Sequence, residues 1–375
     1  MHRPAPFVVL FAVLALVAPL TADEPNWPAL PYTPHAAYQA VNELGNGVFP
    51  LGQPIRLRGL ILNRSEAMLN PAPGAPAFLG GQWQIYVQAA DAGDFGGTAC
   101  YMAEKYGNLP WVPDTESYTA QEWLDELARL THDPQTGRAF RPGDLVEIRA
   151  RVPGLHYGGK TNVNEAHSKN PANDFDVLLL APDCGLPSPT LITLAEVKDA
   201  TDEFIFDATR QTGGERYQGS LVRINQVWFV NPSLWAPNAT LAITDGSGRT
   251  FPVKLGLGGG YSAYPAPTGP FDIVAIFDQE DTNNDGDGME GYRLWLHQDY
   301  NGNGLILPRP PTTPGDLNAD GVADLLDVPL FVQALLDDFA FEAACPECDL
   351  AAANCDGQCG IDGRDVAAFT ALLLD

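Results

Sequence analysis

The chain has 375 residues, of which 18% are charged, and its 47 acidic side chains outweigh 21 basic ones to give a net charge of −26 at pH 7. Such a surface repels phosphates, which argues against nucleic acid as a partner, and a length of this order exceeds one ordinary hydrophobic core, so two or three domains are expected.

Met1-His2-Arg3 is short and basic, an apolar run extends from Phe7 to Leu20, and Thr21-Ala22 forms a small-residue exit before Asp23. This is the layout of a secretory signal peptide over residues 1–22, and the run falls short of the ~20 residues that span a bilayer. The mature chain is therefore expected outside the cell or at its surface, with no membrane span. Cys100, Cys184, Cys345, Cys348, Cys355 and Cys359 would then meet an oxidising compartment. Disulfides are expected, with Cys100 and Cys184 as one possible pair; a zinc site on the last four cysteines is the alternative.

Residues 23–50, rich in Pro, Ala and Asn, form an irregular lead-in. Strands are expected from Ile55 to Leu62, Trp83 to Gln88, Leu145 to Ala150, Asn162 to Asn164 and Phe175 to Leu180. Thr119 and Glu122 form a capping box that opens a helix carrying Trp123, Leu124, Leu127 and Leu130. A similar order then returns. Thr193 and Glu196 cap a short helix, and Tyr217 to Ile224 matches Arg56 to Leu62. Ala239 to Gly246 matches Gln84 to Gln88, Phe271 to Phe277 matches Asp144 to Ile148, and Gly291 to Leu296 matches the strand after Gly158-Gly159-Lys160.

On this repeated order the body, residues 51–183 and 189–306, resembles tandem OB-like β-barrels, small five-stranded closed sheets. Two generic β-sandwiches are the alternative. The fold class expected is mainly β with short helices, followed by a small α-helical calcium-loop module. A proline-rich spacer covers residues 307–314 and is semi-rigid.

Residues 316–327 place oxygen side chains at positions 1, 3, 5, 9 and 12 of a twelve-residue loop, with Gly321 at position 6. A hard cation such as Ca²⁺ needs that spacing, because a tight loop must turn alternate side chains inward. Val328, Phe331 and Leu335 then line one helix face, and Val366, Phe369 and Leu373 repeat it 38 residues later. The paired loop–helix units, each with aspartate at position 12, resemble a dockerin domain of secreted bacterial proteins over residues 315–375. The resemblance implies Ca²⁺ held by Asp316, Asn318, Asp320, Asp324 and Asp327, with the carbonyl of Val322. In the second unit it implies Asn354, Asp356, Gln358, Asp362 and Asp365. It also implies docking onto a cohesin-like or other cell-surface protein. Two departures stand out: Cys359 occupies the second loop's glycine position, and Leu325 and Leu326 at positions 10 and 11 are apolar.

Other segments carry weaker chemistry. Asp281, Asn283, Asp285, Gly286 and Asp287 open like a calcium loop, but position 12 is Tyr292; Asp299 to Gly304 is fainter still. His156, Lys160, Glu165 and His167 offer acid–base groups without a nucleophile motif. Gly256 to Gly260 lacks the context of a phosphate loop. Tyr86, Tyr157, Trp228 and Trp295 are either core or a stacking surface. These features point to a non-catalytic exported binding or structural protein with a calcium-dependent tail. The alternative is a secreted polysaccharide-degrading hydrolase or its accessory subunit; in either case polysaccharide is a candidate partner.

Overall fold

The protein is mainly β with few helices. In the computed structural model, the residues described are 30–375, except 51–52, 153, 258–265, 268, 284, 298–303, 307–312, 319, 337–340, 342–344, 346–347, 349, 358–360 and 375. The expected signal peptide and most of the spacer lie outside them.

The first sheet is built from β1 (Ile55–Ile61), β2 (Gln82–Ala89), β3 (Gly97–Ala103), β4 (Leu145–Ala150) and β7 (Phe175–Ala181), in the order β3-β2-β1-β4-β7. A separate hairpin pairs β5 (Leu155–Tyr157) with β6 (Lys160–Asn162). The remaining strands are β8 (Thr190–Ile192), β9 (Leu221–Phe229), β10 (Thr240–Thr244), β11 (Thr250–Leu255), β12 (Phe271–Gln279), β13 (Tyr292–Leu296) and β14 (Gly304–Ile306). Within them β9, β10, β11, β13 and β12 pair in succession, and β12 pairs back onto β9, closing a five-stranded barrel. One contact in that ring, β11 with β13, is parallel.

The first sheet divides what β13 does alone in the second. There β13 is antiparallel to β12 and parallel to β11. In the first sheet β7 takes the position beside β4, while Val163 forms the parallel bridge to Cys100 on β3. The segment after Gly158-Gly159-Lys160 therefore corresponds to only half of Gly291 to Leu296, because a turn and the β7 strand separate the two contacts.

Local signals explain the helices. Thr119 accepts from the Glu122 amide while Glu122 accepts from the Thr119 amide, and the helix Ala120–Thr131 follows. Its apolar edge buries Trp123 and Leu130 against the interior of the first sheet. The lead-in is less irregular than its composition suggests, since residues His35–Tyr38 form a helical turn and Tyr38 enters the same core.

A third apolar cluster joins the two sheets: Leu62, Met68, Tyr86 and Ala99 meet Leu221, Val274, Ile276 and Trp295. β12 carries the unbroken run Ile273 to Phe277 for this reason. Its alternate residues Ile273, Ala275 and Phe277 fill the barrel, whereas Val274 and Ile276 fill the junction. At the rim of that junction Gly97 donates its amide to the Gln218 carbonyl at 2.9 Å. A Cβ on Gly97 would stand 2.1 Å from the Gly219 carbonyl oxygen, and Gly219 has φ +75°, so both positions demand glycine.

Toward the C-terminus, the helices Val328–Leu336 and Gly363–Leu374 face each other through Phe331 and Phe369, stacked with centroids 4.1 Å apart. Cys345 and Cys348 form a disulfide, which removes the four-cysteine zinc alternative. Cys100 is a buried free thiol, so it does not pair with Cys184. No helix among the described residues is long and apolar enough to cross a membrane.

Candidate metal centre

The loop 316–327 is organised from within by its own carboxylates. Asp327, fully buried where the helix begins, accepts the amides of Leu317 at 2.8 Å and Asn318 at 2.9 Å on one oxygen, and that of Asp324 at 2.9 Å on the other. Asp316 accepts the amides of Asp320 and Gly321 at 3.1 and 2.9 Å. Gly321 has φ +100°, which gives position 6 its sharp turn. Asn318 and Asp320 meet side chain to side chain at 3.0 Å.

The second loop repeats the pattern at the same 38-residue offset. Asp365, also fully buried, accepts the amide of Asp356 at 3.0 Å and that of Asp362 at 2.9 Å. These are the counterparts of the Asn318 and Asp324 amides on Asp327. Asn354 accepts from the Gly357 amide at 2.9 Å. Asp362 is drawn toward Arg364 at 2.8 Å, a hydrogen bond that holds its carboxyl below the usual range. Gln358 and Cys359 lie outside the described residues.

The carboxylates of the first loop accept backbone amides, and among the described residues no three of them come within 4.8 Å of one another. Among the described residues, the three side chains whose ligand atoms all lie within 4.8 Å of one another are Asp281, Asp285 and Asp287, in the loop between β12 and β13. That loop is pinned at its base, with Asp281 donating its amide to the Gly158 carbonyl and Gly288 donating to Leu44. Glu290 approaches within 3.5 Å of Asn283 and adds a carboxylate that the loop spacing alone did not single out. Tyr292 at position 12 is buried in β13 and gives its hydroxyl to Glu215 at 2.7 Å, so it is not a ligand. Of Asp299 to Gly304, all but the last residue lie outside the described residues.

The other candidates are dispersed. His156 has both ring nitrogens within hydrogen-bonding distance of partners, Thr161 at 3.1 Å and the Gly45 carbonyl at 3.0 Å, and burial lowers its basicity. Lys160 belongs to the junction, where Asp278 accepts from its Nζ at 2.5 Å, from Arg293 Nε at 2.7 Å, and from the Tyr86 hydroxyl. Asp278 is fully buried, yet the two cations keep its carboxyl below the usual range despite the desolvation that opposes them. Glu165 sits elsewhere, sealed beside Tyr106 and Tyr118, and burial raises it to about 9. The His167 ring lies tilted against Tyr106, with centroids 4.9 Å apart. Tyr86 and Trp295 are junction core, whereas Tyr157 and Trp228 are partly exposed, so the four aromatics form no common surface. Gly256 uses its amide on the Leu296 carbonyl, and Gly258 to Gly260 lie outside the described residues.

Asp278 and Glu215 are not among the residues singled out from the sequence. A charge directly after the apolar run that ends at Phe277 was the available signal for Asp278; Glu215 gave none. No protein-family model matches the chain, and neither a curated protein nor a solved structure does.

Proposed function

We propose that the chain is an exported, non-catalytic binding or structural protein in which two OB-like β-modules are attached through a calcium-dependent, dockerin-like tail. The observation that carries the tail is the 38-residue register, because Asp327 and Asp365 organise their loops through corresponding amides and their helices pair through Phe331 and Phe369. Binding of Ca²⁺ turns the oxygens of Asp316, Asn318, Asp320, Asp324 and Asp327, with the Val322 carbonyl, toward the ion. The ring of five paired strands supports the OB-like reading of the second module, and the order β3-β2-β1-β4-β7 supports it for the first. Leu325, Leu326 and Leu336 are 77, 66 and 79% exposed; the two at positions 10 and 11 argue against a typical cohesin interface and supply apolar surface for another cell-surface partner.

Calorimetry on the full chain tests the tail. Ca²⁺ heat that Asp316→Ala with Asp320→Ala removes, while Asp281→Ala with Asp285→Ala leaves it, is the expected result. No heat, together with unchanged stability in excess chelator, refutes the assignment. For the body, retention on a polysaccharide without turnover is expected, and release of sugar from it overturns the non-catalytic reading.

A further inference from the structure

The segment leading into β9 lies across the edge of the first sheet, and two of its charged groups, Arg210 and Glu215, are buried. Arg210 gives Nη1 to the Ala36 carbonyl at 3.0 Å and Nε to the backbone carbonyl of Glu215, also at 3.0 Å. Its guanidinium stands 5.4 Å from the centre of the Phe95 ring. On the other side, Asp94 accepts the amides of His35 and Ala36 at 2.7 and 3.0 Å. Glu215 is fully buried behind Arg210, on the side of the barrel. Its Oε1 accepts the Tyr292 hydroxyl, but Oε2 has no hydrogen-bond partner and lies 3.9 Å from Arg210 Nε.

That geometry suits a neutral carboxyl better than a carboxylate. The guanidinium uses Nε and Nη1 on main-chain carbonyls, leaves its buried Nη2 without a hydrogen-bond partner and comes no nearer than 3.9 Å to Glu215 Oε2, so it offsets only part of the desolvation of a charge. Asp207, on the same segment, adds repulsion, although its oxygens are occupied by Thr209 and Thr212. Across the contact the other titratable groups are Asp94, Asp91 and His35, and burial lowers the basicity of His35. Burial is the leading cause that raises Glu215, to about 7.

We propose that Glu215 operates a pH-sensitive latch between the two β-modules. Protonated, it keeps residues 207–219 seated on residues 35–36 and 94–97; ionised, it drives that segment off. The sign follows from linkage. A carboxyl raised in the folded state contributes stability that is complete below the ordinary glutamate value and is lost as pH rises through about 7.

Amide exchange on the full chain, corrected for intrinsic rates, tests this at Gly97 and Leu221, whose amides bond across the contact to the Gln218 carbonyl and to Gln88 Oε1. Protection at both should fall about tenfold from ~pH 6 to ~pH 8.5, while Ile148 inside the first sheet holds its protection. Glu215→Gln, which mimics the neutral acid, should keep the low-pH protection throughout. Tyr292→Phe removes the donor that stabilises the anion, so it should move the midpoint upward, which covers the case of a glutamine variant that fails to fold. Constant or rising wild-type protection, an equal loss at Ile148, an undiminished pH response in Glu215→Gln, or an unmoved midpoint in Tyr292→Phe overturns the latch.

Discussion

Replacing Asp278 by alanine isolates the electrostatics of the junction. The carboxylate receives three donors, Tyr86, Lys160 and Arg293, and is fully buried. Arg293 retains Glu280 after the change, but Lys160 keeps only the Tyr86 hydroxyl at 3.4 Å, with 8% of its side chain exposed. An uncompensated buried ammonium puts the cost at about 3–5 kcal/mol. Lys160→Met removes the cation instead, and since Asp278 still holds Arg293 and Tyr86, the cost is ~1 kcal/mol. The double variant should therefore cost less than the two single changes added, with a coupling of at least ~1.5 kcal/mol. Urea unfolding followed through tryptophan fluorescence measures this, because Trp295 packs in the junction beneath Arg293. If Asp278→Ala costs less than ~1 kcal/mol, water reaches the site and the low-dielectric argument fails.

Gly219→Ala should lose ~3 kcal/mol or more, since it combines a left-handed backbone with a Cβ 2.4 Å from the Gly97 carbonyl; a loss under ~1 kcal/mol in thermal unfolding counts against rigid seating of the junction. Asp327→Asn, measured in chelator, should destabilise the C-terminal helices by about 1.5–3 kcal/mol, because one oxygen that accepts amides becomes an NH₂ donor. Circular dichroism of the full chain reads that loss, and no change would mean that the loop is held by other contacts. Glu165, raised to about 9, contributes stability that is complete below the ordinary carboxyl value and lost as pH rises through about 9, a change of at most ~6 kcal/mol. Glu165→Gln should flatten the fall between ~pH 7 and ~pH 10, and an unchanged profile in chemical denaturation refutes that source.

Much of the fold was legible because local signals and tertiary packing agree. The capping boxes at Thr119 and Thr193 open helices, and the strands beginning at Ile55, Gln82, Leu145, Phe175 and Phe271 match the expected runs to within two residues at either end. Among the described residues five strands escaped notice: β5, β8 and β14, of three residues each, and two longer ones. β3, with Gly97, Thr98, Ala99 and Cys100, is built of small residues, and β11 is interrupted by Pro252. Both are buried by their neighbours and have little intrinsic β signal of their own. The candidate metal residues were legible as spacing and not as convergence. Position in a loop fixes which side chains are near one another, but whether an oxygen faces a cation or an amide depends on the loop's closed conformation. The buried pairings of Asp278 and Glu215 were illegible for a different reason: their partners lie 118 and 77 residues away in sequence, at Lys160 and Tyr292.

The first of those separations also matters during synthesis. Lys160 emerges with the first sheet, whereas its carboxylate partner lies 118 residues further along the chain. At ordinary translation speeds that interval is on the order of ten seconds. Throughout it the first module presents an ammonium and the apolar patch of Leu62, Met68, Tyr86 and Ala99 to solvent. The nascent chain is thus most open to chaperone capture or premature association between the completion of β7 and the arrival of β12.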